Sequence, residues 1–237
     1  MTPQGKLIIN ADDFGLNSLV NSRIIECFAQ GYITSASVIV NMPGFQDVLK
    51  WFGQSRLSPR LGIHLNLDTG ECLSNEFRSI TGTSTLYRGS SYTCSTQRYL
   101  EAISIELDTQ IKTMVKYIDI THIDSHHHLH IHWPIAKIVV KLAQKYAIQR
   151  VRIAGNLHYP DQVHKVLYRT LINRLYFDKY RAGIEYFGDL AAAVAKGLPP
   201  NAGVELMTHP GEEDDFRLLT SGAYRHFLEQ HSHIHER

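Results

Sequence analysis

Thr121-His122-Ile123-Asp124-Ser125-His126-His127-His128-Leu129-His130-Ile131-His132 runs from a strand-like approach into a strongly helical segment with Pro134 at its start. These residues hold six of the chain's fourteen histidines and an aspartate. Junctions where a strand feeds a helix are where βα proteins carry their chemistry. Imidazoles gathered at one strand end can converge on a single metal ion. A histidine cluster is not by itself a metal centre, so its partners elsewhere in the chain decide the matter.

The same junction recurs on both sides of this stretch. Residues 7–10 read as a buried strand, and 18–30 as a helix through Leu19, Ile24, Ile25, Cys27 and Phe28, with Gly31 as its C-terminal stop. Residues 35–41 and 60–67 read as strands, with a helix over 45–52 between them. The longest helical pattern covers 96–117, and a strand over 121–124 precedes a helix over 134–146. Further on come a strand over 150–153, helices over 161–177 and 189–196, and a late strand over 203–208. Repeated βα units imply parallel strands with helical crossovers, hence a barrel or a doubly wound sheet. No internal repeat or linker divides the chain, so residues 1–237 are expected to form one domain. The Gly-, Ser-, Thr- and Tyr-rich segment 68–95 shows no period over 80–92. It reads as an irregular loop, either a substrate-binding lid or a surface excursion.

Composition narrows the function classes. A chain of 237 residues, 43% hydrophobic, is long enough to bury a substantial core. A net charge of +1 without a basic stripe argues against nucleic acid as a partner, and no charge run suggests a membrane surface. The apolar stretch near the N-terminus is too short for a signal-peptide core, and no run reaches transmembrane length. The expectation is a cytoplasmic protein with no integral membrane segment. Cys27, Cys72 and Cys94 are too widely spaced for a disulfide framework or a cysteine zinc site. Homo-oligomerisation is left open.

Four further motifs carry ligand-type residues. Asn10-Ala11-Asp12-Asp13-Phe14-Gly15 ends the first strand with adjacent carboxylates. One can hold a cation while the other faces water or substrate, and the cation's charge keeps both ionised. The alternative is a helix cap for the segment that follows. Gly62-Ile63-His64 puts a histidine inside an apolar strand, as a core residue or as a ligand. Val204-Glu205-Leu206-Met207-Thr208-His209-Pro210-Gly211 fixes His209 between a strand and a turn, the setting an acid or base needs. Arg152, between Val151 and Ile153, could reach a carboxylate or substrate, or form an ordinary ion pair. In the opening stretch His122 and Asp124 share a strand face, so Asp124 could orient a neighbouring ring. His126, His128, His130 and His132 cannot all reach one ion. The arrangement expected is one ligand, one or two rings lining a pocket, and the rest on a helix surface.

In order and spacing, Asn10-Ala11-Asp12-Asp13-Phe14-Gly15, Gly31-Tyr32-Ile33-Thr34-Ser35-Ala36-Ser37, Gly62-Ile63-His64, His122-Ile123-Asp124-Ser125-His126-His127-His128 and His209-Pro210-Gly211 resemble the YdjC-like carbohydrate deacetylases. That group includes chitooligosaccharide deacetylases and the hopanoid-associated HpnK proteins. The resemblance runs from about residue 6 to 211, while the segment between Leu67 and Thr96 is short and carries no family signature. It implies a deformed (β/α) barrel of the glycoside hydrolase/deacetylase type binding one divalent ion. It also implies an enzyme that hydrolyses the acetamide of an N-acetylated sugar or oligosaccharide and releases acetate. Carried over by motif, the metal ligands are Asp13, His64 and His126, the general base is Asp12 and the general acid is His209. Asp124, His128 and Arg152 fall to supporting or substrate-binding roles. The mixed nitrogen and oxygen set suits Zn2+, Mn2+, Co2+ or Ni2+, whereas the resemblance points to Mg2+.

Three other readings compete. His122-x-Asp124 with a distant histidine matches the 2-His-1-carboxylate triad of non-haem iron oxygenases, which usually sit on antiparallel scaffolds. A metal-dependent phosphoesterase keeps hydrolysis but changes the substrate. A non-enzymatic carbohydrate- or metal-binding module leaves Asp12-Asp13 and the His209 turn without a purpose.

Overall fold

Short apolar runs become six parallel strands: β1 (Leu7–Phe14), β2 (Ser35–Val38), β3 (Arg60–Leu65), β4 (Ile123–Ser125), β5 (Tyr186–Asp189) and β6 (Val204–Thr208). Their order across the sheet is β4-β3-β2-β1-β6-β5. The structure is a computed structural model and describes residues 6–55, 59–86, 96–155, 157–158 and 162–232. Between and after the strands come α1 (Ser18–Ala29), α2 (Phe45–Gln54), α3 (Asn75–Thr81), α4 (Gln97–Met114), α5 (Trp133–Lys145), α6 (Val163–Ile172), α7 (Leu190–Lys196), α8 (Glu213–Leu219) and α9 (Gly222–Gln230). Both sheet edges meet the chain near Arg152. Val151 bridges Ile123 at one edge, and Leu157 bridges Gly188 at the other. The sheet thus curls into an α/β deformed barrel, as the βα alternation and the family resemblance imply.

The strands are polar inside and apolar outside. Leu7, Ile9, Ala11, Leu61, Ile63, Ile123, Val204 and Leu206 are fully buried and pack under the helices. The alternate positions Asn10, Asp12, Ser35, Ser37, His64, His122, Asp124 and Glu205 are also buried, and face the barrel interior. The hydrophobic effect therefore holds helices to sheet, while hydrogen bonds and ion pairs fill the barrel.

Several sequence expectations need correction. Residues 150–153 form one bridge rather than a strand. Ile123 N–H donates to the Arg150 carbonyl and Arg152 N–H to the Ile123 carbonyl, but Val151 N–H turns away to Tyr180. The true strand β5 lies later and is short. The 68–95 segment is not wholly irregular. Ser74 caps α3 by accepting from Phe77 N–H, and Gly82 ends it at φ 73°. Residues 87–95 of that segment lie outside the described residues. The helix expected over 161–177 gives way after Ile172 to a π turn over Asn173–Phe177. α8 and α9 follow the last strand, where no helix is expected from the sequence.

Gly62 shows how tightly the interior is filled. A Cβ there would stand 2.4 Å from ring atoms of His122, itself fully buried. Gly62→Ala is expected to cost about 1–3 kcal/mol by overpacking. Gly53→Ala, on an exposed helical position with nothing near its Cβ, should stabilise by about 0.5–1 kcal/mol. Urea unfolding of both variants checks the pair, and equal midpoints would contradict the tight interior.

Candidate metal and catalytic site

The carboxylate pair sits on an irregularity in β1. Ala11 pairs with Ala36 but Phe14 with Val38, so β1 carries one extra residue at Asp12-Asp13. Such a bulge re-aims side chains at a strand end. Asp13 is left-handed at φ 71°. Gly15 follows at φ 98°, where a Cβ would stand 2.6 Å from the Ile39 carbonyl oxygen, so the turn out of β1 requires glycine. The pair does not cap α1. Asn17 does, accepting from Val20 N–H.

Asp13 turns towards two imidazoles. Its Oδ1 lies 2.8 Å from His126 Nδ1 and 3.3 Å from His64 Nε2. His64 comes from β3, and His126 from the first position after β4. Behind His64, its Nδ1–H donates to Asp124 Oδ1 at 2.7 Å. That contact fixes the ring and leaves Nε2 facing Asp13, the arrangement in which a carboxylate orients a metal-binding histidine. Asp13, His64 and His126 each offer one ligand atom, all within 4.8 Å of one another. Asp12, His64 and Asp124 form a second such group. Its carboxylates are already bound to a guanidinium, so the first group is the better cation cradle.

Asp12 turns the other way. Its Oδ2 accepts from Arg152 Nη1 and its Oδ1 from Arg152 Nη2, both at 2.7 Å, and Asn10 adds a bond to Oδ1 at 2.8 Å. The same guanidinium reaches Asp124 Oδ2 at 2.7 Å and Glu205 Oε1 at 2.8 Å. Glu205 also pairs with Arg150 at 2.5 Å. Ser37 Oγ donates to Asp124 Oδ2 at 2.5 Å. Arg152 is fully buried and its fork is spent on carboxylates of three strands.

These contacts set the protonation states. Burial pushes the Asp12 carboxyl up, but Arg152 overrides it and holds the group below the usual carboxylate range. Burial likewise opposes ionisation of Asp124, and Arg152 and His64 keep it well below that range. Burial would lower His64, yet Asp124, with help from Asp13 and Asp12, raises it to about 10. The cluster thus demands positive charge beside Asp13. With the imidazoles neutral, as metal ligands must be, four carboxylates (Asp12, Asp13, Asp124, Glu205) face two guanidiniums (Arg150, Arg152), a formal imbalance of −2. The donor set and this imbalance both fit a divalent cation.

His209 approaches from the end of β6. Its Nε2 lies 4.0 Å from Asp12 Oδ2 and its Nδ1 3.8 Å from Asp215 Oδ2. Asp215, on α8, also accepts from the His209 backbone N–H at 2.6 Å and from Thr208 Oγ at 3.0 Å. Burial would lower His209, but Asp215, Asp12 and Asp13 together raise it to about 9.

The remaining histidines separate. His122 is buried below the site, with Nδ1 2.9 Å from Thr121 Oγ and Nε2 3.3 Å from Ser37 Oγ. Since Asp124 serves Arg152 and His64, the His122-x-Asp124 pair is not a ligand set. His127 and His128 are both left-handed, at φ 50° and 55°, and break the short 3₁₀ segment His126–Ile131. His127 meets Asp68 at 2.8 Å, while His128 lines a cavity beside Phe187. Sequence reasoning missed Asn10, Ser37, Glu205, Arg150 and Asp215. Glu205 was discoverable as a charge inside an apolar strand, whereas Asp215 is lost in the acidic run from Glu212.

The chain has relatives among known proteins. A carbohydrate deacetylase of Brevibacillus brevis is 35% identical over 226 residues, 92% of this chain and 86% of the relative. A chitooligosaccharide deacetylase of Proteus mirabilis is 31% identical over 219 residues, 88% and 82% of the two chains. The crystal structure of a putative cellobiose-phosphate cleavage protein from Enterococcus faecalis shares the fold, with a TM-score of 0.72 at 21% identity, covering 96% of this chain and 95% of that one. The family model of YdjC-like proteins matches residues 6–236, and the chain belongs to the YdjC-like family.

Proposed function

We propose that the chain is a metal-dependent hydrolase that removes the acetyl group from an N-acetylated amino sugar or oligosaccharide. The observation that carries the reading is the pairing of Asp12 with His209 beside the Asp13-His64-His126 group. One member is held ionised and the other protonated, 4.0 Å apart. Neighbouring groups whose environments drive their pKa values apart are the signature of assigned base and acid roles. The names of the relatives from Brevibacillus brevis and Proteus mirabilis support a sugar acetamide as the substrate.

Asp13, His64 and His126 would hold the ion, which when bound supplies Lewis acidity to water and to the amide carbonyl. Two imidazoles with one carboxylate favour zinc, manganese, cobalt or nickel over magnesium. Asp12 takes the proton of the attacking water. The bidentate clamp of Arg152 and the bond from Asn10 leave the carboxylate one orientation. His209, protonated and steered by Asp215, delivers a proton to the nitrogen as the C–N bond breaks, and acetate and a free amine leave. Asp124 keeps His64 in the tautomer that exposes Nε2.

Three measurements check these roles. Asp12→Asn should lower turnover by about 10²–10⁴-fold, the range of a lost acid–base step, with metal content near that of the wild type. Wild-type acetate release by that variant would remove Asp12 from the reaction. His126→Ala should lose metal and acetate release together, read by elemental analysis after chelation and add-back. Full metal occupancy would strike His126 from the ligands. In the metal-free protein the His209 ring should titrate near pH 9 by NMR. Because the raised value depends on Asp215, Asp215→Asn should move it towards the ordinary histidine value. A bound cation cancels the charge of Asp13 and lowers it as well. The acid is charged below this value and lost above it, so acetate release should fall on the alkaline side by pH 9.

A further inference from the structure

The register that pairs β1 with β6 runs to Ala11 and Thr208. Asp12 and His209 are the next residue on each strand, where the pairing of these two strands stops. Through its ring His209 is held loosely. Its contacts with Asp12 and Asp215, at 4.0 and 3.8 Å, are longer than hydrogen bonds. The place of the ring therefore depends on the backbone of the turn that carries it.

One side chain of α1 grips that turn. Arg23 Nη1 donates to the Gly211 carbonyl at 3.0 Å and to the Pro210 carbonyl at 3.3 Å. Its Nη2 donates to Glu213 Oε2 at 2.6 Å, and the guanidinium carbon stands 4.7 Å from the centroid of the Phe216 ring. A single planar cation thus spans the turn after His209 and the start of α8, the helix that carries Asp215. Val20, one helical turn earlier on α1, closes the contact, since a Cβ on Gly211 would stand 2.8 Å from its Cγ2. Only 17% of the Arg23 side chain is exposed, so these bonds are largely shielded from water.

The same helix holds the carboxylate end of the site. Two residues before Arg23, Asn21 Oδ1 accepts from Gly15 N–H at 2.7 Å, and its Nδ2 donates to the Gly44 carbonyl at 2.9 Å. α1 is therefore fastened at Asn21 to the turn that follows Asp12-Asp13, and at Arg23 to the turn that follows His209. We propose that Arg23 is a positioning residue, which sets the distance between His209 and Asp12 by docking the Pro210-Gly211 turn on α1. It acts through His209 rather than at the reacting atoms. That this distance matters to a reaction rests on the deacetylase reading above, in which His209 protonates the departing nitrogen, whereas the docking does not. A misplacement of about 1 Å can cost ~10²-fold in rate.

A double-mutant cycle on acetate release from N,N′-diacetylchitobiose tests the proposal. Arg23→Met keeps the apolar stem and removes the fork. In the wild-type background it should lower kcat about 10–100-fold and leave KM within about 2-fold. In a His209→Ala background it should change kcat by less than about 2-fold, because the residue it acts through is gone. Wild-type kcat in Arg23→Met, or equal losses in both backgrounds, overturns the proposal, since a residue that only stabilises the fold lowers both alike. Arg23→Lys, a point charge without a fork, should lose about 3–10-fold, and it carries the cycle if Arg23→Met fails to fold. The His209 ring gives a readout that needs no turnover. In the metal-free protein Arg23→Met should move its NMR titration from about 9 towards the ordinary histidine value, as the ring drifts from its carboxylates. An unmoved titration also overturns the proposal. If wild type releases acetate from no N-acetylated sugar, the deacetylase reading falls, and the titration alone decides the role of Arg23.

Discussion

The guanidinium of Arg152 is the constraint from which the site's geometry follows. It is buried inside the barrel and bonded to Asp12 of β1, Asp124 of β4 and Glu205 of β6. Three strands that are not all neighbours in the sheet are thereby tied through one planar group. Burying such an ion costs several kcal/mol, repaid only when every donor has a partner. Here Nε, Nη1 and Nη2 all do. A lysine could not replace it, since a single ammonium point has no fork to divide among three carboxylates. The network is thus a device for position rather than a cheap source of stability. It fixes Asp12 in one orientation, and through Asp124 it fixes the ring of His64.

That arrangement inverts the usual filling of a β/α barrel, whose interior is packed with branched apolar side chains. In this chain the apolar residues of the strands face outward to the helices, and the interior carries Asn10, Ser35, Ser37, His64, His122, Asp124 and Glu205. Each is held by a neighbour from another strand or from the 150–152 segment: Ser35 by Asn10, Ser37 by Asp124, Glu205 by Arg150 and Arg152. A polar interior tolerates little misfit, because an unpaired group there keeps its full desolvation penalty. The contact of Gly62 with His122 reflects the same demand in steric form.

The alternation of strand and helix was plain in the chain because short segments with apolar outward positions recur between helical patterns. The fold class and the strand ends bearing Asp12, Asp13, His64, His126 and His209 were legible for that reason. What stayed hidden has a common cause. The strand β5 and the bridge at Val151 depend on partners far away in sequence, and neither leaves a local period of its own. Asp215 joins His209 across a turn and a helix start, so no spacing rule singles it out from Glu213 and Asp214. Arg152 could be seen as a residue able to reach a carboxylate, but that it would hold three was a fact of the barrel's closure.

The histidine-rich stretch itself is divided by a backbone turn. His126 faces Asp13, His127 reaches Asp68, and His130 folds back onto Ser125 beside the cavity. Between the two sides stand His127 and His128 with positive φ, a conformation that costs an L-residue about 1–2 kcal/mol each. A regular helix over these residues would put His126 and His130 on one face, with both rings competing for the same space. The left-handed pair abolishes that register and sends one ring towards Asp13 and the other back onto Ser125. Strain of this kind persists only where surrounding contacts fix it, and the bonds made by Ser125, Asp68 and Asp13 do so on each side. The cluster's excess of imidazoles is therefore not redundancy. It is one short segment, turned sharply, whose rings meet Asp13, Asp68 and Ser125 in different parts of the barrel.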